Sequence, residues 1–232
     1  MKIRIKFAKY GVMKFIGHLD TMRFFQKAVR RAGIDVKYSE GFSPHQIMSF
    51  AAPLGVGVES YGEYMDLEVL TVAGTEEMKQ ALNQVMVEGV EILSVTLLPD
   101  RAKNAMASVS AASYQLHGKE GRFPLDDLKA SVEAFYGQEA IPYTKETKKS
   151  VLELDLKQGI YEMTADADGK IRMLVNASSS GNIKPVMVFE KFCQFTGLPL
   201  APSDCQVTRL ETYTDLAKEG EAHRFVPLSD VE

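Results

Sequence analysis

Apolar and polar positions alternate at the start of the chain, with Ile3, Ile5 and Phe7 set among Arg4, Lys6 and Lys9. A two-residue period of this kind reads as a half-buried strand. After Gly11 and Gly17 the period lengthens. Met22, Phe25, Val29 and Ala32 fall on one stripe of a helix predicted from about Leu19 to Ala32, and Gly33 supplies its stop. Short extended segments at Asp35–Tyr38 and Gln46–Phe50 precede a longer strand around Tyr61–Leu70. Gly74-Thr75 opens a second helix with Met78, Ala81, Leu82 and Val85 inward, and Glu91–Leu97 reads as a closing strand. Strand, helix, strand, strand, helix, strand is the ferredoxin-like order, with two helices on one face of a four-stranded antiparallel sheet.

The polar stretch Pro99–Asn104 marks a boundary, after which the order repeats. Val109–Leu116 reads as a strand. Pro124–Phe135 reads as a helix with Pro124 near its first position and Leu125, Leu128, Val132 and Phe135 on its stripe. Leu152, Leu154 and Leu156 alternate with Glu153 and Asp155. Ile160–Thr164 and Ile171–Val175 flank Asp166-Ala167-Asp168-Gly169, a hairpin turn signal. A helix from Pro185 runs through Phe189, Phe192 and Phe195 to Gly197, and Gln206–Tyr213 closes the sheet. The expected architecture is α+β: two tandem ferredoxin-like (βαββαβ) domains with antiparallel sheets, over residues 1–98 and 106–214. A loose acidic tail is expected over 215–232. No residue-level repeat joins the halves.

Composition excludes more than it identifies. With 45% hydrophobic and 25% charged residues, the 232-residue chain has the make-up of a globular protein. Two cysteines, Cys193 and Cys205, are too few for a disulfide framework, a four-cysteine zinc site or a cysteine-held iron–sulfur cluster. The uncharged run Gly41–Val58 is broken by prolines and glycines, so it does not read as a membrane span. The first residues lack the apolar core of a signal peptide, and a cytoplasmic location is expected.

Charge is unevenly placed. Residues 1–50 hold ten Lys/Arg against three acids, a net of +7, within a chain whose formal charge is −4. On the first helix Arg23, Lys27 and Arg30 stand at i, i+4 and i+7, with Arg31 four residues after Lys27, so these cations share one flank. With Lys37 close behind, they suggest a polyanionic partner, nucleic acid first. Solvated surface is the alternative reading.

Candidate chemistry clusters in the same region. Gly17-His18-Leu19-Asp20 enters the basic helix, and His45 sits in Glu40-Gly41-Phe42-Ser43-Pro44-His45-Gln46, a loop stiffened by Pro44. His18 and His45, with Asp20, are the candidate acid–base groups, against the alternative that each histidine caps a loop or binds phosphate. Ser43, Tyr38 and Tyr10 add hydroxyls and aromatic faces suited to bases and phosphates. Phe7, Phe42 and Phe50 read as core. Glu59, Glu63 and Asp66 read as salt-bridge partners of the basic helix, with acid–base work or Mg²⁺ binding as the alternative. His18, Asp20 and His45 match no strong metal signature, so no metal site is expected. In the second half Ser179, Ser180, Gly181 and Asn182 precede a helix start, where they suit either an anion site or a helix cap.

The segments Gly17-His18-Leu19-Asp20-x-x-Arg23, Arg30-Arg31-Ala32-Gly33, Tyr38 to His45, Ser49 to Ser60 and Glu63-Tyr64-Met65-Asp66 together resemble the radical-SAM-linked protein family of bacteria. The likeness is dense over residues 1–70, with Gly181-Asn182-Ile183-Lys184-Pro185 as its best later match. It implies that the domain works beside, or fused to, a radical SAM protein. The iron–sulfur cluster and S-adenosylmethionine then belong to that separate partner, and no cofactor is expected in this chain. The family supplies no catalytic residues to carry over.

Taken together, these features predict an accessory domain that binds structured RNA, either tRNA or rRNA, for a radical SAM protein. Arg23, Lys27, Arg30, Arg31 and Lys37 would meet phosphates, with Ser43 and His45 near the reactive point. One alternative is an RNA-processing or RNA-modifying enzyme using His18, His45 and Asp20. Another is a protein-docking module that touches no nucleic acid.

Overall fold

In a computed structural model of the chain the first strand, β1 (Lys2–Lys9), is buried on both faces, and Arg4 and Lys9 are each only 2% exposed. The elements that follow are α1 (His18–Arg31), β2 (Met48–Phe50), β3 (Glu59–Glu68), α2 (Thr75–Asn83), β4 (Val90–Leu98) and α3 (Ala105–Ser108). Next come β5 (Ala111–Gly118), α4 (Leu128–Tyr136), β6 (Pro142–Glu146), β7 (Val151–Asp155), β8 (Ile160–Ala165), β9 (Ile171–Asn176), α5 (Pro185–Thr196), β10 (Cys205–Asp215) and β11 (Phe225–Pro227). The structure describes residues 1–119, 123, 125–146 and 151–231, with Lys145 and Glu146 as backbone only. It is a mixed α+β chain with a large, mostly antiparallel sheet and five helices among the described residues.

Two units divide the chain: Met1–Ser110 with Glu211–Glu232, and Ala111–Leu210. In the first, the strands run β4-β1-β3. Beyond β3, β2 pairs Met48 with Leu67 and Phe50 with Met65, and Thr212 of β10 donates its hydroxyl to the Gly62 carbonyl. Ile3, Ile5 and Phe7 meet Phe25 and Val29 of α1 and Met78 and Leu82 of α2 in one apolar core. Gly33, at φ +69°, ends α1 in the left-handed conformation expected of it.

The other face of β1 is covered by chain that the sequence pattern leaves loose. Arg4 forks onto Asp66, Nε to Oδ1 at 2.8 Å and Nη2 to Oδ2 at 3.1 Å. It also donates to the carbonyls of Lys103 and Leu228, both at 3.1 Å. The Ala105 N–H donates to Asp66 Oδ2 at 2.7 Å. A charge pair can be held away from water only when its donors and acceptors are satisfied in this way. The expected linker Pro99–Asn104 is therefore a bound part of the first unit. So is the expected loose tail: β11 pairs with β10, and Leu228 is 1% exposed.

In the second unit the strand order is β10-β5-β9-β8, and β6-β7 forms a separate two-stranded hairpin. The Asp166–Gly169 turn joins β8 to β9 as expected, with Asp166 Oδ1 accepting from the N–H groups of Asp168 and Lys170 and Gly169 at φ +78°. The alternating Leu152 and Leu154 do not join the core; they lie in β7, where Leu152 is half exposed. The predicted helix start at Pro124 lies outside the described residues. Helix α4 begins at Leu128, and Asp127 caps it through the Ala130 N–H at 2.9 Å. Among the described residues no helix is long and apolar enough to cross a membrane.

Candidate nucleic-acid interface

Helix α1 forms because its apolar residues recur at helical spacing, and burying them fixes what faces outward. Thr21, Phe25, Ala28 and Val29 are enclosed, while Asp20, Arg23, Lys27, Arg30 and Arg31 are exposed on the opposite side. Arg23 makes an i, i+3 pair with Asp20 at 3.2 Å, both well exposed, so water screens most of its strength. Lys27 has no ion-pair partner among the described residues. Arg30 donates Nε to the Gln26 carbonyl at 3.2 Å. Arg31 lies on the far flank, where Nη2 donates to the Val85 carbonyl at 3.1 Å. The structure thus groups Arg23, Lys27 and Arg30 and sets Arg31 to one side.

Residues 37–47 form a hairpin standing against this helix. Tyr38 and Gln46 pair as an isolated bridge. The Ser39 N–H donates to the His45 carbonyl at 2.8 Å, and the Ile47 N–H to the Lys37 carbonyl at 3.1 Å. Gln46 Nε2 reaches the Gln26 carbonyl at 3.1 Å, the same oxygen that Arg30 uses. Lys37 pairs with Glu68 at 3.2 Å, which offsets part of its charge. His45 is exposed, its Nδ1 2.9 Å from Ser39 Oγ, and Ser43 is exposed beside it. Phe42 departs from expectation. It is not core but fully exposed, at 112% relative accessibility.

His18 lies elsewhere. Its ring sits edge-on to Phe50, 5.3 Å between centroids, in a narrow pocket lined also by Phe7, Lys9, Thr21, Leu54 and Glu63. Among the described residues no hydrogen bond, ion pair or ring contact joins His18, Asp20 and His45, so the predicted acid–base trio is not assembled. The group that does converge is Lys9, His18 and Glu63. Lys9 Nζ donates to the Ile16 carbonyl at 2.7 Å. Burial lowers the Lys9 pKa, and the Glu63 carboxylate works against that shift. Parity was the available signal: Lys9 keeps step with Ile3, Ile5 and Phe7, and Glu63 with Met65 and Leu67, so both point to the core side. Asp66 pairs with Arg4 and Glu59 with Lys14 (3.0 Å), so the partners of these acids come from β1 and the turn after it, not from α1.

The second-half candidates form a turn. Asn176 Oδ1 accepts from the Ser178 N–H at 2.9 Å and hydroxyl at 2.7 Å, Ser178 and Ser180 hydroxyls lie 3.3 Å apart, and the Gly181 N–H points to the Ser178 carbonyl at 3.4 Å. Ser179 and Asn182 are exposed. Helix α5 starts after Lys184 with no side-chain cap, so neither a serine nor Asn182 caps it. Cys193 and Cys205 are buried, and burial pushes their thiols up to about 11 and about 12. Among the described residues no cluster of three or more His, Cys, Asp or Glu could hold a metal ion.

No curated protein matches the chain. Among solved structures it is similar to a chain in the "Crystal Structure of a Cbf5-Nop10-Gar1 Complex", with 11% identity and a TM-score of 0.46. That alignment covers 90% of this chain and 48% of the other, so the chain spans about half the length of this relative. A family model described as "Uncharacterized protein conserved in bacteria" matches residues 2–185, which take in β1, the basic helix, the hairpin and most of the second unit. By that match the chain belongs to this conserved bacterial family, DUF2344.

Proposed function

We propose that the chain is an RNA-binding accessory domain acting for a radical SAM protein, with tRNA or rRNA as the RNA. The observation that carries the reading is the outward row Arg23, Lys27 and Arg30 on α1, opposite the face that the core occupies. A row of cations at helical spacing follows a phosphate backbone, and in a chain of net charge −4 only such a local surface can attract one. Each unit is read as ferredoxin-like, supported by the orders β4-β1-β3-β2 and β10-β5-β9-β8, with β6-β7 as an insertion in the second. The radical SAM partner, with its cluster and S-adenosylmethionine, rests on the resemblance of residues 1–70 alone.

A filter-binding titration of labelled tRNA against salt tests the reading. If these cations meet phosphates, wild-type retention falls steeply as salt rises, and replacing Arg23, Lys27 and Arg30 together with glutamine abolishes it. Unchanged retention by that variant overturns the proposal.

A further inference from the structure

We infer that the hairpin of residues 37–47 reads unpaired bases, so that the RNA bound here is single-stranded at this point. The inference rests on the RNA-binding reading and adds the substrate class. Phe42 stands at the hairpin end fully exposed, Tyr38 is 44% exposed and His45 is exposed, so three flat side chains are open to stacking on one short loop. A solitary exposed aromatic needs no explanation. These differ in being carried together on a loop whose base is closed by hydrogen bonds and tied to the basic helix.

Gly41, at φ +105°, permits the turn, and Pro44 fixes one of its backbone angles. The Ser39–His45 bonds and the Tyr38–Gln46 bridge close its base. Gln46 then ties that base to the Gln26 carbonyl, where Arg30 also binds. A strand whose phosphates follow Arg23, Lys27 and Arg30 therefore reaches the hairpin. There a splayed base can stack on Phe42 or Tyr38, whereas bases inside a duplex keep their faces covered. The charge of the helix selects a polyanion over an apolar peptide as the occupant.

The test uses the full chain with a 12-nucleotide mixed-sequence RNA, the same strand annealed to its complement, and heparin as a polyanion without bases. The wild-type chain is expected to prefer the single strand. Phe42→Ala should weaken single-strand binding by about 5- to 100-fold and leave duplex and heparin binding unchanged. Because the chain has no tryptophan, Phe42→Trp supplies a sole indole that can be excited apart from the nine tyrosines. Its emission should be quenched by the single strand and not by the duplex. Equal wild-type affinity for both RNAs, or a Phe42→Ala loss shared by duplex and heparin, overturns the stacking inference while leaving the basic face standing. Binding of neither RNA overturns the RNA reading itself, and this inference with it.

Discussion

Arg30 and Gln46 donate to one and the same acceptor, the backbone carbonyl of Gln26, at 3.2 and 3.1 Å. That shared oxygen couples a surface cation of the helix to the base of a hairpin 20 residues downstream in the chain. It makes the basic row and the exposed aromatic loop parts of one surface. Gln46 is itself enclosed, and its Oε1 has no hydrogen-bond partner among the described residues.

Replacing Gln46 with methionine should therefore cost little global stability, within about 1 kcal/mol, because the lost amide bond is offset by removal of a buried unpaired acceptor. The hairpin should loosen all the same. Hydrogen exchange at the amides of Ser39 and Ile47 should quicken while those of α1 stay protected, and unchanged exchange there would show that the anchor is dispensable.

The Arg4–Asp66 pair should behave differently. Arg4→Met leaves the Asp66 carboxylate enclosed with only the Ala105 N–H as a strong donor, and should cost about 3–5 kcal/mol. Adding Asp66→Leu should recover part of that loss, since the stranded charge goes with it. Denaturant unfolding of both single variants and the double variant measures the coupling; additive losses would contradict a shared buried pair.

Asp215 contributes to the loss of stability in acid. Burial acts to raise its carboxyl, but N–H groups of Ala217 and Arg224 and the ring of His223 at 2.6 Å hold it below the ordinary aspartate value. A carboxyl lowered on folding contributes stability that is fully present above its unfolded pKa of about 3.9 and is lost as pH falls through the folded value. Asp215→Asn should thus be less stable than wild type near neutrality, and the gap should close in acid. A Tm difference that stayed constant from pH 7 to pH 2 would rule this out.

Both thiols should be inert in the folded chain. At pH 8 Cys193 and Cys205 are protonated and enclosed, so an aromatic disulfide reagent should titrate neither until denaturant is added. Rapid native-state reaction at either would place that cysteine outside the core.

Local patterning determined much of this protein. The stripe of Met22, Phe25 and Val29, the stop at Gly33, the Asp166–Gly169 turn and the buried Phe189 and Phe192 of α5, though not the half-exposed Phe195, are all settled within one or two helical turns or a single hairpin. Short-range periodicity records them directly, and the outward cations of α1 follow because a helix that buries one face must present the other. Tertiary structure decided where charge and aromatic surface ended up. Arg4 is buried because Asp66, 62 residues away, and Leu228, 224 away, close over it. Phe42 is outside because its hairpin is tied at the base and leaves its end in solvent. His18 meets Lys9 and Glu63 rather than His45 because the pleat of two paired strands aims those side chains inward. Such partnerships depend on which strand lies beside which, and a pairing between distant segments leaves no local period in the sequence.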